Sequence, residues 1–152
     1  NSRYGAMQLT SHSDYALRLL MYLAIHSQEK PATVKDASER YGISTNHLAK
    51  VAQRLVQEKL IISQRGRGGG LKLALPAEEI NIGLLLRKIE NPELLECFGT
   101  NCQCPIEPVC VLFSALRKAQ KAFFAVLDEY TLADVVKNKH KLQQSLSLPT
   151  AV

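Results

Sequence analysis

The chain has 152 residues, of which 46% are hydrophobic and 22% charged, with a net charge of +5. That length suits one domain or a small domain with an extension, and the apolar content excludes a chain disordered by composition. Aromatic residues at 6% and the absence of Trp argue against a base-stacking platform, and no apolar run resembles a membrane span or a secretory signal.

Residues 1–6 precede Met7 and read as an appended remnant, with the native start expected at Met7. With no targeting signal, the cytoplasm is the expected compartment. Asp14 is expected to open a helix running to about Ser27, with Tyr15, Leu19, Leu20, Leu23 and Ala24 on one face. Thr33-Val34-Lys35-Asp36 is a capping-box pattern that starts a short helix ending at Gly42. Ser44 caps the next helix, to about Lys59, whose inner face is Leu48, Val51, Ala52, Leu55 and Val56. Leu60–Ser63 and Leu71–Leu75 read as two strands around the turn Gln64–Gly70. Asn81 caps a helix to about Glu90, and a cysteine-rich loop follows. A long helix then runs from about Pro108 to Glu129, with Val109, Leu112, Leu116, Ala119, Phe123 and Leu127 as its apolar stripe and Phe113, Gln120 and Phe124 flanking it. Thr131 caps a last short helix, to about Asn138, and the polar tail beyond it is expected to be loose.

Helix, short helix, turn, helix and two-stranded ribbon make a mainly α fold with a small β-wing. It is a winged helix-turn-helix followed by a long dimerisation helix. The expected division is 7–90 for DNA binding, 91–107 for the cysteine-rich cluster-binding loop, 108–138 for dimerisation and the short last helix, and 139–152 for a flexible tail.

The charge distribution supports a DNA partner. Lys50, Arg54, Lys59, Arg65, Arg67 and Lys72 lie in one stretch with a single acid, Glu58, so this stretch alone accounts for the net charge. A basic stripe on an otherwise neutral chain suits a polyanion, although charge alone is also what a solvated face shows. A recognition helix presents polar side chains from its N-terminal half to the major groove. Here those are Thr45, Asn46, His47 and Lys50. Ser44, Lys50, Arg54 and the wing residues Arg65, Arg67 and Gly68 are expected to contact mainly phosphates, which position without specifying. The five-residue step from Ala37 to Gly42 departs from one common helix-turn-helix spacing.

All four cysteines fall between Cys97 and Cys110, with four, one and five residues intervening. Outside a secretory context this clustering points to metal or redox chemistry rather than a disulfide framework. The spacing lacks the paired C-x2-C steps of a bacterial ferredoxin, and no histidine lies close enough for a zinc finger. On spacing alone an iron–sulfur cluster, a thiol switch and structural zinc remain open, in that order.

Several segments together resemble the IscR-like family of bacterial winged-helix regulators. They are Met7 to Thr10, Ser13 to Arg18, Gly42 to Lys50, Arg65 to Leu73 and the loop ending Cys110-Val111-Leu112. The resemblance runs from Met7 to about Val136, and Tyr130 to Val135 is most similar to a branch of nitric-oxide-sensing repressors. The resemblance implies a cluster, 4Fe–4S rather than 2Fe–2S, ligated by Cys97, Cys104 and Cys110 and by Asp14 from the other subunit. The five-residue spacer from Cys104 to Cys110 is typical of the family, but Cys97 to Cys104 is longer than its usual first spacer and Cys97 to Cys102 is a common length, so Cys102 is the alternative to Cys104. Phe113 stands where iron–sulfur-status regulators of the IscR type carry a histidine. Without the resemblance, Asp14 reads as an ordinary helix N-cap.

The apolar stripe of the long helix would be exposed in a monomer, so a two-fold dimer on an inverted-repeat operator is expected. The function expected is a cytoplasmic DNA-binding repressor, not an enzyme and not membrane-bound, that responds to nitric oxide through an iron–sulfur cluster. A cluster-free thiol switch and an IscR-type regulator are the alternatives. An electron carrier leaves the wing and the recognition helix without a purpose.

Overall fold

A computed structural model describes residues 7–26, 30–91 and 93–148, apart from the Glu96 side chain. The expectations for residues 1–6, for Ser27 and for 149–152 lie outside the described residues. Seven helices and one hairpin are present among them: α1 (Ser11–Ile25), α2 (Val34–Tyr41), α3 (Thr45–Gln57), β1 (Ile61–Gln64), β2 (Gly70–Leu73), α4 (Ile82–Ile89), α5 (Val111–Leu127), α6 (Leu132–Val135) and α7 (Lys139–Ser145). They fall into two compact units, 1–80 with 131–152, and 81–130.

In the first unit α1 is the central element. Ala16, Leu19, Leu20, Tyr22, Leu23 and Ile25 are buried, because α3, β2, α6 and α7 all pack against α1. The single apolar face expected for α1 is therefore too narrow, and Tyr15 and Ala24 lie at its half-buried margin. The helix also starts earlier than expected. The Thr10 hydroxyl accepts the Ser13 N–H at 3.3 Å and caps the helix, so Asp14 lies within the first turn and is not the cap. Leu48, Val51, Ala52 and Leu55 of α3 meet α1 in the core, whereas Val56, read as core, is 38% exposed.

Short elements end where local chemistry dictates. The Thr33 hydroxyl accepts the Asp36 N–H at 3.0 Å to start α2, and Gly42 ends it at φ 67. The hairpin pairs Ile61 with Leu73 and Gln64 with Gly70. A short outer rung is added where the Leu71 N–H donates to the Ala32 carbonyl at 2.6 Å. This close approach requires a glycine, since a Cβ on Gly70 would sit 2.6 Å from both the Ala32 oxygen and the Pro31 Cβ. Gly70→Ala is expected to cost about 1–3 kcal/mol through forced backbone movement, read as a lowered urea midpoint with unchanged slope.

The expected loose tail contains α7. Its sequence is polar, so no apolar stripe announces it. Its anchors are polar instead. Gln143 is buried and gives its amide N–H to the Ile25 carbonyl at 2.8 Å, while Arg40 of α2 donates to the carbonyls of Leu146 and Ser147. Leu148 adds a buried apolar residue. α6 is shorter than expected and opens with a reciprocal capping box between Thr131 and Asp134.

In the second unit α4 packs on α5. Asp128, just past α5, closely approaches the Gly83 backbone and accepts a two-pronged bond from Arg87, at 2.5 and 2.9 Å. The Arg87 hydrogen bonds hold the Asp128 carboxyl below the usual carboxylate range. This pair's contribution is present at neutral pH and is lost as pH falls through that depressed value. α5 begins at Val111, later than expected, because Glu107–Val109 forms a separate 3-10 turn and Cys110 caps the helix. Phe124 is buried, with Phe113, Leu116, Gln120 and Leu127 half-buried along the same side. Leu112, Ala115, Ala119, Ala122, Phe123 and Val126 stay exposed. Several residues read as flanking thus form the inner side, and much of the expected stripe faces out.

Candidate DNA-reading face and cysteine loop

α3 is held in register by its own first turn. The Ser44 hydroxyl accepts the His47 N–H at 3.3 Å, and the Thr45 hydroxyl pairs with Ser38 of α2 at 2.9 Å. His47 is half-buried with its ring edge-on to Tyr15 of α1, centroids 4.7 Å apart. These three polar side chains therefore brace the helix-turn-helix. Asn46 and Lys50, one turn apart, are exposed, and Gln53 extends their row by another turn. Gln53 was not among the candidates from sequence, though its i+7 spacing from Asn46 marks the same face.

Arg54 is less available than its charge suggests, because its guanidinium bonds Glu58 at 3.0 Å. Arg65 and Arg67 are exposed at the wing tip, with Gly66 at φ 96 and Gly68 at φ 76. The two glycines take left-handed backbone, which turns the hairpin tightly and leaves the arginines outermost. An exposed amide and ammonium on a helix beside an arginine-tipped wing suit a duplex groove with its flanking phosphates.

Two expected outcomes separate reading from positioning. Asn46→Ala should cost about 1–3 kcal/mol of operator binding and relax the preference at one base pair. Lys50→Ala should weaken binding to all duplexes alike and lower the slope of log affinity against log salt by about 1. Fluorescence anisotropy on operator and scrambled duplexes, across a salt series, distinguishes them.

Near the start of α1, Asp14 is engaged by Arg18, with Nε–Oδ1 at 2.9 Å and Nη2–Oδ2 at 3.1 Å. The same guanidinium lies 5.7 Å from the Tyr15 ring centroid and 5.8 Å from that of Tyr41. Arg18 was not singled out from sequence, though its i+4 step from Asp14 is a helix ion-pair spacing.

All four cysteines are free thiols, with Cys104 exposed and the others half-buried. The Cys102 thiol lies beside Cys97. Burial, followed by the Cys102 thiol, pushes the Cys97 thiol up from its ordinary value. The Cys110 Sγ accepts the Phe113 N–H at 3.4 Å, the capping bond of α5. In donor chemistry the loop fits a thiophilic metal centre: four soft sulfurs on fourteen residues, none committed to a disulfide. Among the described residues, no three side chains of the His, Cys, Asp and Glu types converge to hold a metal ion. The structure brings the Cys97 and Cys102 thiols near one another and seats Cys110 on the helix.

A helix-turn-helix with an arginine-tipped wing and a basic, outward recognition face defines a winged-helix DNA-binding transcriptional regulator. The chain belongs to the Rrf2 family of iron-dependent transcriptional regulators, whose family model matches residues 9–138. It is 50% identical over 139 residues to the HTH-type transcriptional regulator NsrR of Oceanobacillus iheyensis, covering 90% of this chain and 94% of that one. NsrR of Bacillus subtilis is 44% identical over 144 residues, covering 93% and 99%. Among solved structures, T. potens IscR superposes with a TM-score of 0.70 at 28% identity, covering 91% of this chain and 92% of that one. Staphylococcus aureus CymR gives 0.64 at 28%, covering 83% and 95%. The family resemblance and the winged-helix fold read from the sequence both hold, and these relatives are named as regulators rather than enzymes. Among the described residues no helix is long and apolar enough to cross a membrane.

Proposed function

We propose that the chain acts as a homodimeric repressor on an inverted-repeat operator, with an iron–sulfur cluster on its cysteine loop setting its DNA affinity and nitric oxide as the signal. The observation that carries this reading is the position of Cys110. One thiol of a four-thiol loop is also the N-cap of α5, the helix with the exposed apolar face. Whatever engages that sulfur acts at the first turn of the dimerisation helix.

In this reading Cys97, Cys104 and Cys110 hold the cluster, 4Fe–4S rather than 2Fe–2S, with Cys102 as the alternative to Cys104. Asp14 of the partner subunit completes the set. When bound, such a cluster would supply thiolate-held iron able to react with nitric oxide, and these four side chains are the ones that would hold it. Asp14 must exchange its two bonds from Arg18 for that role, so ligation and the ion pair are alternative states of one carboxylate. Tyr15 follows Asp14 and rests on His47 of α3. A shift in the first turn of α1 therefore passes to the recognition helix through one ring contact. The two readers of a dimer then move out of step with the operator half-sites. The compartment that suits this role is the cytoplasm.

The test is operator affinity of anaerobically isolated protein, with its absorption spectrum and its iron and sulfide content, before and after nitric oxide. Loss of affinity of about 5–150-fold is expected, the usual range of allosteric coupling. Unchanged affinity of an iron-loaded protein overturns the switch.

A second reading, a thiol switch without iron, is favoured by the Cys97–Cys102 approach. It predicts a colourless, iron-free protein whose operator binding changes on mild oxidation and recovers with a thiol reductant. An iron–sulfur-status regulator of the IscR type would instead respond to cluster supply, with no special sensitivity to nitric oxide.

A further inference from the structure

Phe98 follows Cys97, and its ring meets Phe113 edge-on with centroids 5.0 Å apart and planes at 81°. The Arg117 guanidinium lies over both rings, 4.4 Å from the Phe98 centroid and 5.4 Å from that of Phe113. Phe113 and Arg117 are one turn apart on α5, so the stack joins the loop to the helix. Phe113 also gives its N–H to the Cys110 sulfur. A single aromatic–cation stack therefore touches the neighbour of the loop's first thiol and the residue bonded to its last.

We propose that this stack is a clasp that closes the cysteine loop, with Arg117 as the positioning residue that seats Phe98 on Phe113. The proposal deepens the cluster reading and rests on it for its purpose. Cys97 and Cys110 are thirteen positions apart, and bringing their segments together costs chain entropy that a metal site would otherwise have to supply on binding. An edge-to-face aromatic pair with a cation across both rings offsets part of that cost in advance. Arginine suits the position because its flat guanidinium stacks on a ring while its stem lies along the helix, which a lysine ammonium does not reproduce. The clasp contributes no ligand. It holds the arm of the loop that carries Cys97 against the helix that carries Cys110, as supporting residues hold the ligands of a metal centre.

The test compares the wild-type chain with Arg117→Met, Arg117→Lys and Phe98→Leu. Methionine keeps the stem and suits a helix, so α5 should persist in Arg117→Met. In the reduced, iron-free chain, alkylation of each thiol by iodoacetamide is followed by mass mapping. Cys97 should react about three- to tenfold faster in Arg117→Met and Phe98→Leu, the range one such contact supports, with Cys104 unchanged and Arg117→Lys in between. In iron-loaded protein held without oxygen, bleaching by excess chelator should accelerate by a similar factor.

Wild-type alkylation rates in both disruptive variants overturn the clasp. So does an equal acceleration at all four thiols, which would mark general loosening rather than positioning. A wild-type chain that never takes up iron overturns the cluster reading instead, and the alkylation rates then decide the clasp alone.

Discussion

Cys110→Ser is expected to yield a folded, colourless protein with almost no bound iron, whose operator affinity equals that of the nitric-oxide-treated wild type. The substitution isolates the metal role because of what the thiol does in the fold. The Cys110 sulfur accepts the Phe113 N–H at the start of α5. A serine hydroxyl takes that bond at least as well, since serine is among the preferred N-caps. Thermal stability of the iron-free chain should therefore stay the same or rise slightly. Serine oxygen is a harder and far less acidic donor than thiol sulfur, and iron–sulfur chemistry favours thiolate. The expected fall in operator affinity relative to loaded wild type is about 5–150-fold. Companion variants settle the middle ligand. If Cys104 ligates, Cys102→Ser keeps its iron and Cys104→Ser loses it; the reverse result makes Cys102 the ligand. Full iron content in Cys110→Ser would remove the proposed centre from this end of the loop.

Elements governed by local chemistry were the most legible in the sequence. Thr33, Ser44, Asn81 and Thr131 cap helices where their short polar side chains predict, and the glycine-rich turn forms the wing. Elements governed by tertiary packing were less so. Thr10 and Asp14 are both capable caps, and the choice between them depends on how far the first helix is buried. α7 has no apolar period to read, because its anchors are a buried amide and two backbone carbonyls bonded from Arg40. The two apolar sides of α5 merged into one stripe, since periodicity cannot say which side meets α4. At the candidate site, sequence gave the residue types but not their partners. Thr45 and His47 look free to reach a base, yet Ser38 and Tyr15 engage them. Arg54 looks like a phosphate contact, yet Glu58 holds it.

The outward side of α5 carries the second large effect. Leu112, Ala115, Ala119, Ala122 and Val126 recur at alternating steps of three and four, the seam of a helix pair. Leu112 is 59% and Val126 56% exposed, so among the described residues nothing within its own unit covers this seam. Three alanines in its middle let a second helix approach closely, while the larger residues at its ends and Phe123 beside it supply area. Ala119→Glu places a carboxylate at the centre of that seam, where pairing would bring two like charges into a desolvated contact. The variant is expected to be monomeric at micromolar concentration by sedimentation equilibrium, with α-helical content unchanged because glutamate is a good helix former. Its operator affinity should fall about 10²–10⁴-fold, the factor lost when two linked half-site contacts become one. Ser114→Glu, on a polar side of the same helix, should remain dimeric and bind normally. A dimeric Ala119→Glu would move the interface elsewhere. A monomeric one that still binds the full inverted repeat with wild-type affinity would mean that one reader suffices, and the spacing mechanism for the nitric oxide response would fail with it.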